Sequence, residues 1–188
     1  IRMVRQHAKE WNVNPHKVGI MGASAGGHLA STIATHYNSE TRPDFQILLY
    51  LVVTMMQVTR GNTRAALLGK NPTMEQIQKF SAELQVTPDT PQAFIALTSD
   101  DPSVAPYHGV NYYLALQKNK VPATLHVYPT GGHGWGFQDS FKYKQQWTQE
   151  LEKWLREGVV FPKETAPMLR IGKTYLGTKY VANTLDQG

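Results

Sequence analysis

The chain has 188 residues, of which 41% are hydrophobic and 18% charged, with no cysteine and a formal net charge of +5 at pH 7. The length fits one domain of ~100–200 residues and the apolar content is enough for a core, which excludes disorder over most of the chain. Without cysteine there is no disulfide, thiol nucleophile or Cys-ligated metal, and without a Lys/Arg cluster interleaved with aromatics nucleic-acid binding is a poor fit.

In chain order, Val4, Ala8 and Trp11 recur at i, i+4, i+7 and predict a helix. It closes at Asn14-Pro15, because the residue before proline avoids the α region. Residues 17–21 read as a short strand and 22–27 as a small-residue turn. Residues 25–37 read as a helix with Leu29, Ile33 and Tyr37 on one face. Residues 45–55 are almost wholly apolar, the pattern of a strand buried on both faces in a parallel sheet. Residues 57–72 are polar and read as a loop. Thr73-x-x-Gln76 has the form of a capping box ahead of a short helix through Ile77, Phe80 and Leu84. Residues 93–98 are a strand, 109–119 a helix through Val110, Tyr113, Leu114 and Gln117, and 121–128 a strand. Tyr143, Trp147, Leu151, Trp154 and Leu155 mark an amphipathic helix ended by Gly158.

Strands and helices therefore alternate over residues 1–158, which predicts an α/β fold with about four parallel strands joined by right-handed crossovers. Residues 159–167, with Pro162 and Pro167, read as a linker, and 168–188 as a tail too short to be its own domain. No apolar run reaches the ~18 residues of a membrane span.

Three stretches carry chemistry. Gly22-Ala23-Ser24-Ala25-Gly26 is G-x-S-x-G between a predicted strand and a predicted helix. Such a turn is sharp, needs small neighbours, and projects the serine Oγ from the strand end. The Ala25 N–H then points toward a developing oxyanion at the helix N-terminus. Asp100 and Asp101 follow a predicted strand, at the rim where ligands bind in open α/β sheets, although either also suits a turn. His133 lies among Gly131, Gly132, Gly134 and Gly136 after the last strand, in a loop suited to a general base. The order Ser24, Asp101, His133 is that of α/β-hydrolases.

The chain resembles α/β-hydrolase esterases of the acetyl-esterase and bifunctional feruloyl/acetyl-xylan-esterase type. The resemblance covers roughly residues 1–158. It is carried by KVGIMGASAGGHLAS (17–31), RPDFQIL (42–48), LGKNP (68–72), SDD (99–101) and VPATLHVYPTGGHGWG (121–136). It implies Ser24 as nucleophile, Asp101 as acid in preference to Asp100, and His133 as base. It implies Gly22 and Gly26 as partners of the turn and His28 as a buttress of it. Trp135 is either a substrate contact or a pin for the loop. The sequence departs from the pattern at Leu51, where a proline usually follows the tyrosine, and at Val104-Ala105, where Val-Pro is usual. His7, His16, His36, His108 and His126 show no metal spacing and read as surface or packing residues. No metal or cofactor is expected.

The resemblance implies a serine carboxylesterase acting on small acyl groups, acetyl above all, on a carbohydrate such as xylan. A prolyl-oligopeptidase-like peptidase shares the residue order and the elbow, but such enzymes usually carry an aromatic residue where Ala25 stands. No His-Gly-Gly-Gly stretch is present to supply a second oxyanion N–H. The expectation is therefore the C-terminal part of a hydrolase domain with its early strands missing, a piece nearly inactive alone. Residues 171–185 resemble the opening helix of bacterial cell-wall amidase-like hydrolases. A periplasmic or secreted bacterial setting is the expectation for compartment, with no membrane or nucleic-acid partner.

Overall fold

A computed structural model describes residues 1–57 and 63–159. They divide into a unit ending at Trp147 and a second beginning at Thr148. From residue 160 onward the expected linker and tail lie outside the described residues.

Four strands frame the first unit: β1 (Ile20–Ala23), β2 (Phe45–Leu49), β3 (Gln92–Thr98) and β4 (Ala123–Tyr128). All pair in parallel in the order β1-β2-β3-β4, with Ile20 opposite Gln46, Phe45 opposite Gln92 and Ala93 opposite Ala123. Helix α1 (Arg2–Gln6) precedes the sheet and α2 (Ala25–Thr35) joins β1 to β2. Helices α3 (Thr63–Leu68) and α4 (Met74–Lys79) with a 3₁₀ turn (Ala82–Leu84) lie between β2 and β3, and α5 (Tyr107–Lys118) joins β3 to β4. Helix α6 (Lys144–Trp154) begins in the first unit and continues into the second.

β3 is the buried spine, since every residue from Ala93 to Thr98 is covered. Leu48, Ile95 and Leu97 of the sheet pack with Ala30 of α2 and Tyr112 and Leu116 of α5 in one apolar cluster. Gln46, fully buried, donates from Nε2 to the Pro91 carbonyl at 2.7 Å and accepts from the Tyr112 hydroxyl at 3.1 Å. Both polar groups are thereby satisfied where an unpaired one would cost roughly 1–3 kcal/mol. Burial holds the Tyr112 hydroxyl above its ordinary pKa. A second cluster joins Val52, Met55, Ile77 and Val104. The capping box forms as read: Thr73 Oγ1 accepts from the Gln76 amide, and the Gln76 side chain accepts from the Thr73 amide.

Several spans differ from expectation. The first helix is one short turn, and Trp11 stacks on His7 at 5.0 Å instead of entering a core. The apolar run 45–55 is strand only to Leu49, because Tyr50 turns to φ 34 and the chain leaves the ladder while staying buried. The polar stretch 57–72 contains α3. Helix α2 seats Gly27, His28, Ala30, Ser31 and Ala34 and leaves Leu29 61% exposed. Its small residues allow the close approach that a larger apolar face would prevent: a Cβ on Gly27 would lie 2.5 Å from the Leu51 Cβ. Helix α5 likewise buries His108, Gly109, Tyr112 and Leu116, while Leu114 is exposed. In the second unit α6 ends at Trp154, and Leu155–Val159 form a wider turn that contains Gly158.

Candidate active site

Parallel pairing brings the carboxyl ends of all four strands to one rim, and the loops leaving them carry Ser24, Tyr50, Asp100, Asp101 and His133. Ser24 stands between β1 and α2 at φ 55, ψ −124, a conformation that costs a non-glycine residue about 1–3 kcal/mol. The turn is held from several sides. The Ser24 amide donates to the Leu49 carbonyl at 3.0 Å, and the Ser24 carbonyl accepts from Gly27, His28 and Val52 amides at 3.0, 3.2 and 3.1 Å. Its closure depends on Gly22, where a Cβ would fall 2.1 Å from the Gly26 carbonyl oxygen. Gly26, expected to be needed for its size, would place a Cβ within 4 Å of nothing among the described residues, so Gly22 and Gly27 carry the steric demand. The Ala25 amide is the first of α2, a position whose N–H has no carbonyl partner within its helix.

Asp101 is buried, its side chain 1% exposed. Its Oδ1 accepts from the Ser103 and Val104 amides at 2.8 Å each, which fixes the carboxylate plane. Its Oδ2 lies 2.6 Å from His133 Nδ1, and His133 Nε2 lies 2.8 Å from Ser24 Oγ. An ionised carboxylate only accepts, so Nδ1 carries the proton toward Asp101. Nε2 of the neutral ring is then the acceptor for the serine O–H. The arrangement can draw a proton from Ser24 and hold it on an oriented imidazole.

Asp100 touches neither ring nitrogen. Its carboxylate accepts from the backbone amides of Gly131 and Gly132 at 3.2 and 2.8 Å. The Gly132 amide, assisted by that of Gly131, holds the exposed Asp100 carboxyl below the usual carboxylate range against the opposing effect of desolvation.

His28 does not reach Ser24. It is buried and its Nε2 meets the Phe80 carbonyl at 2.8 Å, tying α2 to the end of α4, and burial lowers its pKa. Trp135 is 3% exposed, stacked on Phe141 at 4.3 Å and edge-on to Tyr50 and Trp147 at 4.8 and 5.7 Å. Of its two expected roles, this burial fits the pin, since stacking on a sugar needs an open ring face.

Two residues escaped sequence reasoning. Tyr50, at positive φ, sets its ring edge-on to His133 at 4.9 Å and forms one wall beside the imidazole. A tyrosine ending an apolar strand gives no warning of this. His108, grouped with surface and packing histidines, is fully buried at the start of α5 and accepts the Val53 and Thr54 amides on Nδ1 at 3.0 and 3.2 Å. It thus secures the stretch whose Val52 amide binds the Ser24 carbonyl. Burial, reinforced by the nearby His28 and opposed by Asp101, lowers its pKa from 6.5 to about 4. Among the described residues no group of three His, Asp or Glu could hold a metal, and no helix is long and apolar enough to cross a membrane.

The model of the prolyl oligopeptidase family matches residues 1–159. The chain is 41% identical over 170 residues to an acetylxylan esterase of Xylanibacter ruminicola, a match covering 88% of this chain and 35% of that protein. It is 38% identical over 148 residues to an endo-1,4-beta-xylanase B of Butyrivibrio fibrisolvens, covering 71% of this chain and 23% of that one. Among solved structures, an acetyl ester-xyloside bifunctional hydrolase of Caldicellulosiruptor lactoaceticus superposes with a TM-score of 0.79 at 37% identity, over 82% of this chain and 61% of that one. The chain thus spans about a third or less of the two relatives it matches in sequence.

Proposed function

Since the chain belongs to the prolyl oligopeptidase family and has the parallel sheet of an α/β-hydrolase, we propose that it supplies the reacting groups of a serine ester hydrolase. The substrates are small acyl esters, acetyl above all, carried on a carbohydrate such as xylan. The observation that carries the reading is the relay from Asp101 through His133 to Ser24, at 2.6 and 2.8 Å, on a serine held in a strained strand-to-helix turn. The identity to an acetylxylan esterase supports the choice of ester and alcohol.

In this reading Ser24 Oγ attacks the ester carbonyl carbon while its proton passes to His133 Nε2. Asp101 holds the imidazolium through Nδ1, and the Ala25 N–H stabilises the oxyanion. The C–O bond to the alcohol breaks as His133 returns the proton to that oxygen, leaving acyl-Ser24. Water then attacks the acyl carbon and gives a proton to His133 Nε2; the bond from that carbon to Ser24 Oγ breaks as His133 passes the proton to Oγ, which releases the acid and restores Ser24.

A peptidase reading rests on the family's own description. Ala25, in place of an aromatic residue after the nucleophile, favours the ester. Turnover of p-nitrophenyl acetate against a prolyl p-nitroanilide, measured on the full-length protein and on its Ser24→Ala variant, decides. Ester turnover abolished by Ser24→Ala is expected; anilide turnover exceeding ester turnover would overturn the reading.

A further inference from the structure

The loop that carries His133 is held after the base by the buried Trp135 and by side-chain bonds to the Gly134 and Gly136 carbonyls, whereas the two residues before the base have no side chains to hold them. Residues 131 and 132 are glycines at φ 147 and 63, which limits backbone stiffness just before the base. Two side chains from the end of β3 grip this pair from both sides. Asp100 accepts both amide N–H groups, and the Thr98 hydroxyl donates to the Gly132 carbonyl at 2.5 Å. Gly131 also lies against the end of β3, since a Cβ there would fall 2.4 Å from the Phe141 ring and 3.0 Å from Thr98 Cγ2.

We infer that Asp100 is a positioning residue for His133, a carboxylate latch that holds the Gly131–Gly132 backbone while Asp101 holds the ring. The inference rests on the serine-hydrolase reading of Ser24, Asp101 and His133. The division of labour is read from the contacts in the turn that follows β3: the Asp101 carboxylate reaches the imidazole, and the Asp100 carboxylate reaches the backbone that bears it. Both oxygens of Asp100 are needed because two N–H donors converge on it. An asparagine keeps one acceptor and turns an NH₂ toward the other donor. Removing the latch lets the ring sample positions off the line between Asp101 and Ser24, and a misplacement of order 1 Å costs about 10²-fold in rate.

The test compares wild type, Asp100→Asn and Asp100→Ala in the full-length protein. Turnover of p-nitrophenyl acetate is normalised to serine titrated with a fluorophosphonate, and hydrogen exchange is followed at the Gly131 and Gly132 amides. Expected for Asp100→Ala is a fall of about 10- to 100-fold in kcat per titrated serine with KM within about threefold. Exchange at both glycines should be at least about tenfold faster, and Asp100→Asn should fall between Asp100→Ala and wild type. A merely structural role would lower the fraction of titratable protein and leave kcat per site unchanged, and that result overturns the inference. So does unchanged exchange in Asp100→Ala, or faster exchange with unchanged kcat. If wild type turns over no ester, the functional reading fails by itself and the latch is judged on exchange alone.

Discussion

Replacing His108 with asparagine separates a backbone clamp from its titration. His108 Nδ1 accepts two amides, from Val53 and Thr54, so in the folded protein the proton of the neutral ring sits on Nε2. Nε2 is buried and finds no acceptor among the described residues. Protonation would place a second N–H against two amide donors, in a site already facing His28, with only the Asp101 charge in favour. The pKa is accordingly lowered from 6.5 to about 4. The sign follows directly: the folded state binds fewer protons than the unfolded state between these values, so stability is full above 6.5 and is lost as pH falls toward 4. At 1.36 kcal/mol per pH unit the whole loss is about 3 kcal/mol, and about 2 kcal/mol of it falls between pH 6.5 and 5. Asparagine can offer Oδ1 to the same amides and does not titrate. His108→Asn is expected to cost about 1–2 kcal/mol at pH 7.5 through lost packing, and to remove about 2 kcal/mol from the stability difference between pH 7.5 and 5. Urea unfolding at the two pH values, followed by fluorescence of the buried Trp135 and Trp147, measures both quantities. An equal pH 7.5-to-5 loss in wild type and variant would refute the assignment of the acid sensitivity to His108.

Three further outcomes are expected. Ser24→Ala abolishes ester turnover, and Ser24→Gly does the same while being about 1 kcal/mol more stable than Ser24→Ala, because glycine adopts φ 55, ψ −124 without strain; equal stability of the two variants in urea would remove the strain argument. Asp101→Asn lowers kcat about 10⁴-fold by favouring the wrong His133 tautomer, well beyond Asp100→Asn, and a reversed ranking would move the acid to Asp100. Gly22→Ala forces the turn apart, since the new Cβ would meet the Gly26 carbonyl at 2.1 Å; a loss of at least about 2 kcal/mol in urea is expected, and a near-neutral variant would show that the turn can open.

The sequence by itself determined the class of fold and the neighbourhood of the site. Alternation of apolar strands with helical periods forces parallel pairing, and parallel pairing sends every strand end to one rim. G-x-S-x-G, the Asp pair and the glycine-flanked His were legible because each follows a strand, and because such turn residues have few other uses there. Helix faces were not legible. Leu29 and Leu114 are the apolar choices by composition, yet both are exposed. The helices seat on Gly27, Ala30 and Gly109 because packing rewards close approach to the sheet, and a residue's own hydrophobicity does not report how near its backbone must come. The resemblance already favoured Asp101 over Asp100 as the partner of His133, but the contact of Asp100 with the Gly131 and Gly132 amides, the wall made by Tyr50 and the clamp made by His108 were decided only by tertiary structure. Each depends on backbone amides and rings brought in from another strand end 30 or more residues away in sequence, and no local pattern encodes such contacts.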